Sequence, residues 1–253
     1  MDTTVLLSHW WLVPTTFFTA IITAVSGAGG GVLLLGLMGL VLPGTAVIPL
    51  HGAVMFLQNG LRGALLVKYV DWRFVGIAGV GSLLGAFLAG PVAVNLNDNA
   101  MQLLLGLGLL YLIWAPKPKK SLSIPFLNRL STDARTAILA VMISMVTILI
   151  GAAGVLFSAI RRRGGLAKEA VLADQSYIML CQHILKMLVF GLAGFAFGPY
   201  LPLIIPMICM GLLGTFVGVV LMKKITSDIF DTIFKAVVTV LAVAMLAKAA
   251  NLF

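Results

Sequence analysis

The sequence predicts an all-α membrane protein made of two inverted repeats, each a glycine-broken re-entrant hairpin followed by three transmembrane helices. Three observations predict it: an apolar and charge-poor composition, a polar pattern that recurs between the halves, and basic loops that one topology gathers on a single face. Of 253 residues, 61% are hydrophobic and 10% charged, with a mean hydropathy of +1.12. Soluble domains run at roughly 45–50% apolar and 25% charged. Spanning hydrocarbon takes about 20 helical residues, and the apolar stretches fill about eight such segments with short connections, so a single membrane domain accounts for residues 1–253.

An apolar run from 13 to 42 is broken at Ser26 to Gly31, and helices are expected over 45–68, 74–94 and 98–115. A polar segment with Lys117, Lys119, Lys120, Arg129 and three prolines separates the halves, giving repeat one over 12–115, a cytoplasmic linker over 116–134 and repeat two over 135–250. The second half repeats the pattern, with a run from 135 to 160 broken at Gly151 to Gly154, then helices over 168–195, 200–222 and 226–250. Sliding the second half onto the first puts Gly151 on Gly27, Gly154 on Gly30, Ala170 on Ala46, Gln182 on Gln58, His183 on Asn59 and Lys186 on Arg62, without a gap. Gly81 to Phe87 resembles Gly211 to Phe216 in the same way, and the small-xxx-small pairs Gly81/Gly85 and Gly214/Gly218 suit close helix packing.

Charge orients the halves, because cytoplasmic loops collect Lys and Arg. If every apolar segment crosses, the loop cations divide almost evenly. If each broken run enters and leaves by one face, Lys68, Arg73, the linker cations, Arg161 to Arg163, Lys168, Lys223 and Lys224 share a face and only Lys248 lies opposite. Three crossings per half also invert the second half against the first. The basic face is then cytoplasmic and both termini lie outside. Trp10, Trp11, Trp72, Trp114, Tyr69, Tyr111 and Tyr200 all fall at the expected interfaces.

The formal charge of +9 is thus a topology signal and no sign of a nucleic-acid partner. Met1 to Trp11 has neither a basic n-region nor a small-residue cleavage site, so the start is expected to be mature sequence. Cys181 and Cys209 lie in apolar helices without metal-ligand spacing and are expected to pack. No cofactor or metal is expected. The chain lacks a P-loop, an H-E-x-x-H and a G-x-S-x-G, so no enzymatic activity is expected either.

Gly27 to Gly31 lacks the third glycine of a dinucleotide fingerprint and follows no strand. It reads instead as a break between half-helices, whose free N–H groups at the following start suit an anion. Unwound backbone survives inside a membrane only when buried in protein or lining a cavity. Candidate substrate-binding residues are therefore Gly27, Gly29, Gly30, Gly31, Gly151 and Gly154, with the intramembrane polar residues His51, Gln58, Arg62, Gln175, Gln182, His183 and Lys186. Arg62 has the alternative of snorkelling toward the interface near Lys68. His51 aligns with Gln175, so both histidines occupy positions polar in each half. Asp174 and His183 are candidates for proton coupling, Asp174 alternatively as a partner of Lys168 or Lys186. Ser26 could add a hydroxyl donor at the first break. Asp231 and Lys235 read as a self-neutralising pair on one helix face.

The Gly27 to Gly31 run ahead of an apolar stretch, Leu42-Pro43-Gly44, the polar second helix and the weaker echo at Gly151 together resemble the TauE/SafE-like sulfite exporters, also called toluene-sulfonate uptake permeases. The resemblance covers nearly the whole chain. It implies transport of a small sulfur-containing anion, sulfite or an organosulfonate, by a secondary mechanism with H+ as a candidate coupling ion, in a bacterial or archaeal cytoplasmic membrane. The second break has two glycines where the first has four, and Arg161 to Gly165 replaces the apolar Leu37 to Val41. An anion channel and a scaffold subunit without a substrate path are the rival readings.

Overall fold

A computed structural model describes residues 4–27, 29–114, 129–162, 165–222 and 228–251, with backbone alone at 155, 159, 162 and 228–233. Among the described residues all regular structure is helical. The helices are α1 (Thr4–His9), α2 (Leu12–Ser26), α3 (Gly29–Val41), α4 (Gly44–Leu65), α5 (Trp72–Val94), α6 (Asp98–Trp114), α7 (Thr132–Ile150), α8 (Gly154–Arg162), α9 (Lys168–Leu192), α10 (Leu201–Leu221) and α11 (Asp228–Ala249). Helix α1 is not foreseen by the apolar pattern. Helix α7 starts inside the expected linker because Ser131 caps it, its hydroxyl accepting from the Ala134 N–H. Most of that linker, with Lys117, Lys119 and Lys120, lies outside the described residues, as do Arg163, Lys223 and Lys224.

Each broken run is two helices. Gly27 ends α2 at φ 90° and Gly151 ends α7 at φ 84°, left-handed angles that glycine reaches without a Cβ penalty. The closing bonds match as well, from the Gly27 N–H to the Thr23 carbonyl and from the Gly151 N–H to the Thr147 carbonyl. After the first break the chain turns back on itself, since a Cβ at Gly30 would run into the Thr19 carbonyl of α2. At about 1.5 Å per residue, the 15 residues of α2 and 13 of α3 are each too short to cross about 30 Å of hydrocarbon.

Helix α4 packs along α9 at the centre. Around that pair, α10 lies against α2 and α4 while α5 lies against α7 and α9, and α6 pairs with α11. These contacts map onto themselves when the aligned helices of the two halves are exchanged. The small-residue pairs make the outer seams close. A Cβ at Gly81 or Gly85 would strike the Ala137 or Val141 carbonyl of α7, and one at Gly214 or Gly218 would strike Phe17 or Ile21 of α2.

Helix ends gather at two ends of the bundle. At one, Asp98 accepts from the Thr45 N–H (2.9 Å) and hydroxyl (2.6 Å), and Lys248 donates to the Leu40 and Leu42 carbonyls at the end of α3. At the other, Arg73 pairs with Asp133 at 2.6 Å, Arg161 reaches Asp71 and Asp174, and Lys168 donates to the Met222 carbonyl. Three helices, Trp72–Val94, Thr132–Ile150 and Gly198–Leu221, are both long and apolar enough to cross a membrane. The 22 residues of α4 and 25 of α9 carry the polar candidates instead, at positions covered by neighbouring helices.

The seams make a direct prediction. Gly85→Leu forces a side chain into the α7 backbone and costs about 1–3 kcal/mol or more. Gly79 has nothing within 4 Å of a Cβ, so Gly79→Ala is neutral or stabilising by up to about 1 kcal/mol. Thermal unfolding of both variants in detergent checks the contrast.

Candidate functional site

A small, partly open cavity lies where the two breaks meet α4 and α9. Of the sequence candidates, Gly27, Gly31, His51, Arg62, Gly151, Gly154, Gln175 and His183 line it. On α4 the lining residues recur at 51, 55, 59 and 62, and on α9 at 175, 179 and 183, one stripe per helix at helical spacing.

Arg62 does not snorkel. It is 2% exposed and turns inward, donating from Nε to the Ser176 hydroxyl (2.7 Å), from Nη1 to the Thr23 carbonyl (2.9 Å) and from Nη2 to Asn59 Oδ1 (2.9 Å). A guanidinium has five N–H donors, so two remain for a ligand. Lys186, fully buried, donates to the Gly151 carbonyl. Each aligned cation therefore reaches the carbonyl end of a broken helix, α2 for Arg62 and α7 for Lys186. Among the described residues neither has a carboxylate within 4 Å.

His51 and Gln175 brace the other side of the breaks. The His51 Nε2–H donates to the Gly31 carbonyl at 2.9 Å, and Gln175 Nε2 to the Gly154 carbonyl at 3.0 Å. The His51 and His183 rings meet edge to face with centroids 5.5 Å apart. His51 Nδ1, Gln175 Oε1 and His183 Nδ1 are buried and have no hydrogen-bond partner. Buried polar atoms are normally paired, and these three lie together around one cavity.

Other candidates lie apart from this cavity. Gln58 lines a smaller one with Thr23, Ala24, Met55, Asn59, Arg62 and Thr215, packed on Gly211. Gln182 donates to the Ser82 hydroxyl at 2.9 Å and accepts from Ser144 at 3.2 Å, joining α9 to α5 and α7. Gly29 sits under the Phe234 ring, and Gly30 presses on α2. Ser26 accepts from the Gly29 N–H at 3.3 Å and so caps α3 instead of facing the cavity. Asp231 lies outside the described side chains, and Lys235 stands 5.7 Å over the Trp114 ring. The sequence reading missed Met55 and Met179, which line the cavity at equivalent positions, and Thr23 and Asn59 beside Arg62. For Met55 and Met179 the i, i+4 spacing from His51 and Gln175 was the available signal.

Asp174 pairs with neither Lys168 nor Lys186. Its carboxylate is fully buried and held by Arg161 at 2.6 Å and by the Asp71 N–H at 2.7 Å. Arg161 also reaches Asp71 at 3.1 Å and covers the Phe74 ring at 4.2 Å. The Phe74 N–H, and beyond it Arg161, hold the Asp71 carboxyl below its ordinary range against some desolvation.

Among the described residues no group of three or more His, Cys, Asp or Glu could hold a metal ion. The fold and cavity are those of a polytopic membrane protein with a cationic interior site. A family model described as sulfite exporter TauE/SafE matches residues 12–245. The chain belongs to this family of membrane transport proteins for sulfur-containing anions, and it is an integral membrane protein. Comparison with curated proteins and with solved structures gave no match.

Two outcomes follow from the ion cluster. Arg161→Ala strands the buried Asp174 carboxylate and costs about 3–5 kcal/mol in unfolding measurements. The folded Asp71 value is depressed, so its stabilisation is present above the ordinary carboxylate value and is lost as pH falls through the folded one. The unfolding midpoints of wild type and Asp71→Asn therefore differ most near neutrality and converge in acid.

Proposed function

We propose that the protein is a secondary carrier that moves a small sulfur-containing anion through the cavity between the two breaks by alternating access. The observation that carries this reading is the pair of buried cations, Arg62 and Lys186, with no carboxylate beside them among the described residues. A cation near the bilayer centre costs about 2.5–3.5 kcal/mol on insertion scales, and here only helix-end carbonyls and neutral groups offset it. An anion arriving at the free N–H groups of Arg62 supplies the missing charge. His183, with Nδ1 unpartnered, is the better candidate for handling a coupling proton, because both Asp174 oxygens are already engaged.

The topology we assign is two inverted units, each with one re-entrant hairpin and three crossings. Two features support it. The main helix contacts, α4 with α9, α10 with α2 and α5 with α7, map onto themselves when the halves are exchanged, and the second broken run has both its ends by the same loop, through Arg73 with Asp133 and Arg161 with Asp71. The Asp71 end is cytoplasmic in this reading, because the loop cations gather there. Single cysteines at Leu130 and Gly165 should label from the cytoplasm, and one at Asn97 from outside. Labelling of 130 and 165 from opposite sides overturns the topology.

In proteoliposomes, Arg62→Ala and Lys186→Ala are expected to lower saturable sulfite or sulfonate flux at least about tenfold, and Arg62→Lys to restore part of it. Unchanged flux in both alanine variants removes the charge roles. Flux that neither saturates nor supports counterflow favours a channel.

A further inference from the structure

The acceptors that line the cavity carry a consequence for which anion fits. A carbonyl oxygen only accepts, so the His51 nitrogen facing Gly31, Nε2, bears the hydrogen, and in the neutral ring Nδ1 is a lone-pair acceptor. By the same logic Gln175 turns its amide N–H to Gly154, which leaves Oε1, an acceptor in every protonation state, without a partner. His51 and Gln175 occupy equivalent positions in the two halves. Each braces a break with its donor and is left with a buried acceptor at the cavity both line.

Two lone pairs repel the bare oxygens of a fully ionised anion, whereas the free N–H groups of Arg62 attract them. A ligand that satisfies both must carry negative charge and a hydrogen of its own. We propose that the cavity selects a monoanionic oxyanion bearing an O–H donor, such as hydrogen sulfite, and discriminates against sulfite dianion and against sulfonates that lack a donor. Its O–H goes to Gln175 Oε1 or His51 Nδ1, and its charged oxygens go to Arg62. This rests on the anion-carrier reading above.

The titratable and charged groups facing His51 are Arg62 on its own helix and His183 and Lys186 on α9. The lining residues from α2, α3 and α8, and those at the end of α7, carry none. Because these groups could titrate themselves, the test compares a substrate that changes protonation with one that does not. Flux of total sulfite into proteoliposomes is measured across its second ionisation, with ethanesulfonate as the invariant monoanion. Competition by isethionate, which is ethanesulfonate with one added hydroxyl, is measured beside it.

Sulfite flux is expected to follow the hydrogen sulfite fraction while ethanesulfonate flux does not, and isethionate to compete at least about tenfold better than ethanesulfonate. Gln175→Met should narrow that preference, with isethionate losing more of its competition than ethanesulfonate. Equal competition by the two sulfonates, with sulfite flux holding or rising as the dianion takes over, overturns the donor requirement while the carrier reading stands. If none of these anions is transported or competes, the carrier reading itself falls, and the donor requirement with it.

Discussion

Ending a helix inside hydrocarbon leaves carbonyls with no partner in the next turn and no water to take them. In the topology proposed above, helices α2 and α7 both end this way, at Gly27 and Gly151. Arg62 answers for the first by donating to Thr23, and Lys186 for the second by donating to Gly151. Each pairing offsets two costs, since a buried cation and a buried helix C-terminus, with its partial negative charge, are unfavourable alone and complementary together. Because the cations come from α4 and α9, which pack against one another, the two breaks are drawn to the same central pair. The cavity is the space left where they converge.

The likeness of the two halves was legible where it involved polar residues at matched depth. Gln58, Asn59 and Arg62 over Gln182, His183 and Lys186 could not be dismissed as chance in the way glycine matches could, and of these Asn59, Arg62 and His183 line one cavity. The glycine breaks were legible because few other residues adopt a left-handed angle. Rotation about the helix was less so. Gln58 and Gln182 are as deep and polar as their neighbours, yet Gln182 joins three helices while the residue after it, His183, lines the cavity. Depth can be read from hydropathy, but side-chain direction needs the lining stripe of 51, 55, 59 and 62, whose apolar member Met55 attracts no notice.

The partner of Asp174 was not legible, for a different reason. The sequence offered Lys168 and Lys186 on its own helix, but the partner, Arg161, comes from the preceding half-helix and is completed by Asp71 from the first half. Such a cluster depends on three backbone segments meeting, which no local pattern encodes. The departure of Arg161 from the apolar Leu37 was visible, and its meaning was not. The substitution gives the second hairpin an anchoring charge that the first lacks at that position.

That difference bears on how a carrier built this way would move. The end of α3 is fastened by Lys248 to backbone carbonyls at 3.1 and 2.9 Å, and carbonyls accept equally well from water. The end of α8 is fastened by a cation between two carboxylates, one of them fully buried. Opening the first end exchanges one set of neutral acceptors for solvent, whereas opening the second separates charges and must hydrate Asp174 as it does so. The two ends would therefore be unequal barriers although the main helix contacts of the two halves match. A bound anion that draws Arg62 away from Thr23 would loosen α2 and the α3 that folds against it before it touched α8. In the alternating access proposed above, the hairpin of the first half would thus be the element most directly coupled to the ligand, and that of the second half the more firmly held.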